Sequence, residues 1–257
     1  KPEMDGPSDF AVAARTDFTE IPVIDISALA DPDRFDETAH HLVSVARDIG
    51  FFYLTHHGIP AALCEDAFAA SREFFGLSDD QKADVSVDHQ QRGWMAQGMA
   101  TLEGAKTSDA KEVFFWGRDV APDDPDVLQG RALVAPNQWP DRHAPRLKQQ
   151  LLPYYDAVLD LSRLVLRALA RGLGKQPGFF APAYVNPLGR GQLVYYPPQT
   201  DTDRDAERFG AAAHSDFGVL TILMQDNAGG LQVLNKAGIW IEAPPLKDSF
   251  VCHIGDL

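Results

Sequence analysis

The chain has 257 residues, of which 45% are hydrophobic and 23% are charged, proportions typical of a soluble globular protein with a substantial core. Its formal net charge is -14. Such an acidic chain would be repelled by nucleic acid and by anionic membranes, so neither is an expected partner.

The cysteines and the first residues indicate where the protein acts. Cys64 and Cys252 lie far apart and form no Cys-x-x-Cys pair, so neither a disulfide framework nor a thiolate metal site is expected. Residues 1–20 lack the apolar core of a signal peptide and are predicted to be an N-terminal arm, and no apolar run approaches a membrane-spanning length. These features predict a cytoplasmic protein.

Strands and helices alternate in the next part of the chain. A β-branched run at 21–27 predicts a strand, and apolar spacing predicts a helix from Asp33 to Asp48. A buried strand is expected within 51–60, followed by a helix from Pro60 to near Gly76. Ser78 and Gln81 have the spacing of a capping box, which predicts a further short helix.

Two adjacent histidines, His56 and His57, raise the question of a metal site. Neighbouring residues on an extended chain point to opposite faces, so the two imidazoles are not expected to share one ion. A structural or solvent-facing role is favoured for both.

The longest helical pattern runs from about Ala144 to Arg171, with Pro153 marking a kink or a break and Gly172 or Gly174 ending it. One face of this supporting helix is apolar and is interpreted as core packing: Leu147, Leu151, Val158, Leu161, Val165 and Leu169.

After Pro187 the pattern changes to short β-rich segments separated by Gly, Pro, Asn and Asp, which predicts a β-sandwich or jelly roll. The expected fold is therefore α+β. Its organisation is an arm (1–20), an α/β region (21–120), and a supporting helix with a β core (121–257), which are expected to be parts of one integrated domain.

The triplet His214-Ser215-Asp216 begins one of these β-rich segments. Because residues i and i+2 of a strand face the same side, His214 and Asp216 are able to present a nitrogen and an oxygen to one metal ion. A second histidine would complete a facial triad for Fe(II), and zinc would accept the same donors. Aspartate is abundant in this chain, so the spacing alone does not decide.

The surrounding sequence resembles the isopenicillin N synthase-like group of Fe(II)/2-oxoglutarate-dependent oxygenases. HSDFGVLTILMQDNAGGLQV, IEAPP and IGDL are similar to the iron-binding segment and its downstream hairpins. IPVIDIS, DIGFFYLTHHGIP, KEVFFWGRD, APNQWP and VYYPPQT are similar to markers that precede them, in the same order. The resemblance extends from about residue 21 to residue 257.

This resemblance implies a double-stranded β-helix with Fe(II), 2-oxoglutarate and O2, and with His214 and Asp216 as metal ligands. It also implies that Tyr196 contacts the 2-oxoglutarate carboxylate, although a half-buried barrel tyrosine is the alternative. Val194 departs from the family, which has asparagine at this position.

In the family, a second histidine ligand and an arginine for 2-oxoglutarate follow the Ile-Gly-Asp-Leu segment, whereas this sequence ends at Leu257. We therefore expect that ligand, that arginine and the last strands to lie beyond the sequence given. His253 is an alternative ligand, but its position resembles a non-ligand site and a buried, hydrogen-bonded histidine is favoured.

The implied reaction couples decarboxylation of 2-oxoglutarate to hydroxylation, desaturation or cyclisation of a small organic substrate. By the same resemblance, four residues are candidate substrate contacts over the barrel mouth, with packing between the two halves as the alternative: Arg92, Trp94, Phe114 and Trp116.

Competing interpretations are an iron oxidase of the same fold that does not use 2-oxoglutarate, and a non-catalytic jelly-roll binding module. Zinc hydrolysis is weaker, because the sequence has neither His-Glu-x-x-His nor a nucleophile elbow.

Overall fold

The fold is that of a computed structural model, which describes residues 21–99, 108–202 and 210–256. The predicted N-terminal arm lies outside these residues. Helices and sheets are mixed along the described chain. The α-helices are α1 (Pro32–Asp48), α2 (Ala61–Phe75), α3 (Asp79–Ala83), α4 (Pro125–Leu128) and α5 (Leu147–Gly172). The strands are β1 (Val23–Asp25), β2 (Phe51–Thr55), β3 (Gly93–Met95), β4 (Glu112–Gly117), β5 (Arg190–Tyr195), β6 (Leu220–Leu223), β7 (Gln232–Leu234), β8 (Trp240–Glu242) and β9 (Ser249–Ile254).

Local signals in the sequence set the ends of the first helices. Asp31 caps α1 by accepting a hydrogen bond from the Asp33 backbone N–H at 3.0 Å. After α1, Gly50 has a φ of +85°, which lets the chain turn into β2. Ser78 and Gln81 form the predicted capping box at the start of α3. These predicted elements are confirmed.

The supporting helix α5 runs through Pro153 without a break. Val158 of its predicted apolar face is partly buried against the core. The other five residues predicted for that face are buried: Leu147, Leu151, Leu161, Val165 and Leu169. In the described part of the chain, no helix combines the length and apolar character needed to cross a membrane.

Strands of the described residues lie in three sheets. One sheet has the order β1-β2-β9-β6, the second has the order β3-β4-β5, and β7 pairs with β8 as a hairpin. Because β2 pairs antiparallel with β9, the α/β region and the last β-rich segment share one sheet. This pairing is consistent with the prediction of one integrated domain.

His56 and His57 contact different neighbours. His56 Nδ1 lies 3.3 Å from Asp25 Oδ1 on the surface. His57 Nδ1 accepts a hydrogen bond from the Ile59 backbone N–H at 3.1 Å, and its ring packs edge-on against Phe250. These contacts fit the structural and solvent-facing roles favoured for the pair.

Helices α1 and α5 approach each other closely at Gly172. A Cβ atom at this position would lie 2.3 Å from the Ala39 carbonyl oxygen and 2.5 Å from Val43 Cγ2. The Ala39 carbonyl belongs to the backbone of α1 and has no alternative rotamer. Only glycine therefore permits this separation of the two helices.

We expect Gly172→Ala to lower the free energy of unfolding by about 1–3 kcal/mol through overpacking, despite the better helix propensity of alanine. Urea denaturation measures the change. Gly178→Ala is the matched control, because a Cβ at Gly178 meets nothing within 4 Å. Equal stability of Gly172→Ala and wild type would contradict the close approach.

Candidate functional site

His214 and Asp216 lie between β5 and β6, outside any strand. The prediction that this triplet begins on a strand is therefore wrong. The segment pairs only locally with the end of β9: the Asp256 backbone N–H donates to the Asp216 carbonyl at 3.0 Å, and the Gly255 backbone N–H donates to the Val219 carbonyl at 3.2 Å. These isolated bonds do not form a continuous ladder.

The two side chains nevertheless converge. His214 Nε2 lies 3.5 Å from Asp216 Oδ1. His214 Nδ1 lies 2.8 Å from the Ala212 carbonyl oxygen. Since a carbonyl oxygen only accepts, Nδ1 must carry a hydrogen, and Nε2 is the nitrogen directed at the carboxylate.

Asp216 uses its two oxygens differently. Oδ2 accepts a hydrogen bond from Thr221 Oγ1 at 2.5 Å and lies 3.6 Å from His253 Nδ1. Oδ1 faces His214. The imidazoles of His214 and His253 beside it and the hydrogen bond from Thr221 hold the pKa of Asp216 well below its usual range, and the same carboxylate raises the pKa of His214. The carboxylate is therefore anionic and fixed in orientation.

This donor set fits a divalent metal ion. It offers an imidazole nitrogen and an anionic carboxylate oxygen that face each other, while Nδ1 of His214 is held by the backbone as in ligating histidines. Within residues 21–99, 108–202 and 210–256, no group of three or more His, Cys, Asp or Glu side chains is arranged to hold a metal ion. His253 approaches Oδ2, away from the oxygen that faces His214.

Asp109 is linked to His214 through the backbone of Ala212. Its side chain is buried; Oδ1 accepts a hydrogen bond from the Ala212 backbone N–H at 2.9 Å, and Oδ2 lies 2.9 Å from Lys111 Nζ. The carbonyl oxygen of the same Ala212 accepts the hydrogen bond from His214. The sequence analysis missed Asp109, because the contact spans about a hundred residues and no local pattern marks it.

The other side of the segment rests on the end of β9. Ser215 Oγ donates to Asp256 Oδ2 at 2.6 Å. A Cβ at Gly255 would lie 1.9 Å from the Gly218 carbonyl oxygen, so glycine is required where the two backbones meet. The triplet is thus held between Asp109 and the 255–256 backbone.

Tyr196 directly follows β5 and is about half exposed. Its ring covers Gly210, where a Cβ would lie 2.7 Å from Tyr196 Cδ1. Gly210 is four residues before His214. Tyr196 therefore packs against the segment that leads to the candidate metal ligands.

Known proteins resemble this chain along most of its length. Residues 21–142 match the family described as non-haem dioxygenase in morphine synthesis, N-terminal, and residues 191–257 match the 2OG-Fe(II) oxygenase superfamily. A homoarginine-6-hydroxylase of Glycine max is 34% identical over 94% of this chain and 77% of its own. The 2-oxoglutarate-dependent dioxygenase citB of Monascus ruber is 34% identical over 92% of this chain and 74% of its own.

The chain belongs to the 2OG-Fe(II) oxygenase superfamily. A solved structure of a Neurospora crassa protein, in complex with alpha-KG (2-oxoglutarate) and thymine, has a TM-score of 0.78 and 27% identity to it, over 92% of this chain and 74% of that one. The protein is a non-haem iron dioxygenase that uses Fe(II), 2-oxoglutarate and O2 to oxidise a small organic substrate. Its fold is that of oxygenases with a jelly-roll core.

Three of the predicted substrate contacts lie in the core of the oxygenase. Trp94, Phe114 and Trp116 are buried in one hydrophobic cluster with residues of α2 and α5. Trp94 Nε1 donates to Glu112 Oε2 at 2.8 Å. This packing matches the alternative given above, so a role in substrate binding stays a prediction for these three residues.

Arg92 of the oxygenase lies apart from His214. It is almost fully buried, and its guanidinium donates to the carbonyl oxygens of Gln90, Gln91 and Leu133 at 2.9–3.2 Å. It lines a cavity beside the end of β4, and neither candidate metal ligand contributes to the wall of that cavity. Substrate contact by Arg92 stays a prediction.

We expect Asp109→Ala to weaken Co(II) binding by about 10–100-fold, because the Ala212 backbone that orients His214 loses its anchor. Asp109→Asn keeps an oxygen acceptor for the Ala212 N–H and should retain most of the affinity. The visible absorption of Co(II) provides the measurement without turnover. Equal weakening by both substitutions would contradict an anchoring role through this hydrogen bond.

Proposed function

We propose that His214 Nε2 and Asp216 Oδ1 are two protein ligands of the catalytic Fe(II). The observation that carries this proposal is their convergence to 3.5 Å, with Nδ1 of His214 already bonded to a carbonyl oxygen. Bound iron supplies the activation of O2, coupled to decarboxylation of 2-oxoglutarate to succinate and carbon dioxide. The residues around it determine geometry and charge.

Each neighbouring group has a separate part in this arrangement. The Ala212 carbonyl holds the imidazole in the Nδ1–H tautomer, so that the Nε2 lone pair is available to the metal. Thr221 donates a hydrogen bond to Oδ2 of Asp216 and His253 lies beside the same oxygen, which leaves Oδ1 as the ligating atom. The anionic carboxylate also offsets part of the charge of a divalent ion.

We further propose that Tyr196 donates a hydrogen bond to a carboxylate of 2-oxoglutarate. Its ring covers Gly210 at the start of the segment that carries His214, and about half of the residue is exposed. An exposed phenol beside the ligand segment is available for such a bond. Val194 has no hydrogen-bonding side chain, so this position makes none of the contacts that asparagine would.

The substrate is proposed to be a free small molecule and not a polymer. Relatives named for their substrates or ligands include a homoarginine-6-hydroxylase and the Neurospora crassa protein whose structure contains thymine. A net charge of -14 disfavours nucleic acid and anionic membranes. Two free cysteines are compatible with the reducing cytoplasm.

The principal alternatives explain fewer of these observations. A non-catalytic binding module has no need of two metal donors oriented by hydrogen bonds. An iron oxidase that does not use 2-oxoglutarate differs in its products, since it releases no succinate. Succinate formation with Fe(II), O2 and 2-oxoglutarate therefore separates that oxidase from the proposed reaction.

We expect His214→Ala and Asp216→Ala each to abolish Fe(II)-dependent succinate release, because each removes one of two converging donors. Both side chains are partly exposed, so the melting temperature should change little. Succinate assays and thermal unfolding provide the measurements. His56→Ala is the histidine control and should retain activity; turnover by either ligand variant would refute the metal assignment.

We expect Tyr196→Phe to raise the KM for 2-oxoglutarate by about 10-fold, the effect of losing one hydrogen bond to a charged group. Tyr195→Phe is a matched control, because the Tyr195 ring stacks on Phe75 with centroids 5.5 Å apart. Steady-state kinetics with varied 2-oxoglutarate measure both variants. Equal KM values for the two variants would count against the contact.

A further inference from the structure

A cavity of about 300 Å³ lies where β4 ends and β5 begins. Three guanidinium groups are the charged side chains in its wall, although the chain as a whole is strongly acidic. The wall of the cavity includes Arg92, Arg118, Arg131, Leu133, Asn186 and Leu188.

This cavity is separate from the candidate iron site. Gly117 pairs with Arg190 at the cavity end of the β4–β5 ladder, and Glu112 pairs with Tyr195 at the other end. Five residue steps of a strand cover about 17 Å. Tyr196 follows Tyr195 at that other end, and its ring packs against Gly210 in the segment that leads to His214. The cavity and the candidate ligands therefore lie at opposite ends of this sheet.

Arg92 carries a charge that no carboxylate neutralises by direct contact among the described residues. Its guanidinium donates to three backbone carbonyl oxygens, and its buried Nε has no hydrogen-bond partner. Burial lowers the pKa of Arg92; the charge of Asp88, which makes no direct contact with the guanidinium, raises the pKa in part, and the nearby Arg190 lowers it further. A buried cation without a paired anion is costly, and a bound anion would remove that cost.

Arg118 and Arg131 are fixed beside it. Asp126 binds both of them, with Oδ2 at 3.0 Å from Arg118 and Oδ1 at 3.0 Å from Arg131. Asp124 lies 3.5 Å from Arg118. Two carboxylates therefore hold these two arginines in place, and with Arg92 the group keeps one excess positive charge.

The wall of the cavity combines this charge with apolar surface and a strained backbone. Leu133, whose carbonyl binds Arg92, has a φ of +61°, a conformation that costs free energy for a non-glycine residue. Leu133 and Leu188 contribute apolar side chains, and Asn186 contributes an amide. Strained residues of this kind concentrate at ligand sites.

We propose that this cavity binds a small organic anion, with its carboxylate or phosphate group on the arginines and a short apolar body against Leu133 and Leu188. Guanidinium forks match the planar geometry of a carboxylate and the paired oxygens of a phosphate. The volume is at the lower end of that of small-molecule sites, which excludes a large ligand. This second site does not depend on the assignment of the iron ligands.

Isothermal titration of the whole chain with inorganic phosphate and with glutarate tests the proposal. We expect at least one probe to bind, and Arg118→Gln combined with Arg131→Gln to weaken it by about 10-fold or more. Leu188→Trp leaves all the charges in place and fills the cavity, so it should also weaken binding without disturbing the ion pairs of Asp126. Tighter binding of glutarate assigns a carboxylate ligand with an apolar body, and tighter binding of phosphate assigns a phosphate group.

Two controls locate the binding. Arg146→Gln removes an exposed arginine that pairs with Glu73 elsewhere, and it should leave the affinity unchanged. His214→Ala should also leave it unchanged, because the iron site is at the other end of the sheet. The proposal is overturned if neither probe binds below about 10 mM, if the cavity variants bind as wild type does, or if His214→Ala abolishes binding.

Discussion

The geometry of the site depends on the different contacts that the two oxygens of the Asp216 carboxylate make. One oxygen is occupied by Thr221 and approached by His253, and the other is left facing His214. A carboxylate free to rotate would present either oxygen, or both, and would lose free energy of binding to ordering. Because the neighbouring groups already fix its orientation, this cost is met when the protein folds.

Backbone groups help to hold His214 and the segment that carries it in position. The backbone of Ala212 connects Asp109 to His214, with its N–H bonded to the carboxylate and its carbonyl bonded to the imidazole. On the opposite side, Gly255 lets two backbones approach where a side chain would collide. The identity of residue 212 is therefore less important than the path of the chain through it, whereas Asp109 and Gly255 each meet a specific requirement.

At two places in the structure, the local arrangement of charged groups matters more than the net charge of the chain. An acidic protein attracts cations generally, whereas at His214 and Asp216 two donors converge and the second ring nitrogen of the imidazole is held by the backbone. At the other end of the β3-β4-β5 sheet, the arginines create a positive pocket within the same acidic chain. Local geometry, and not net charge, decides which ions each place is suited to bind.

The sequence by itself determined the elements that depend on local chemistry. The spacing of apolar residues predicted the buried face of α5, and the capping box at Ser78 fixed the start of α3, because both patterns act within a few residues. Motif order also identified the family and the candidate pair His214 and Asp216. Interactions of this range can be read along the chain.

Tertiary structure alone decided which distant segments meet. It placed the His214 triplet outside a strand, brought Asp109 to Ala212, and paired β2 with β9. It also put Trp94, Phe114 and Trp116 in the core and grouped the arginines around a cavity. The β2–β9 pairing and the Asp109–Ala212 hydrogen bond join residues about one hundred to two hundred positions apart. No local pattern encodes such a contact, since its free energy arises only when the packed chain brings the two groups together.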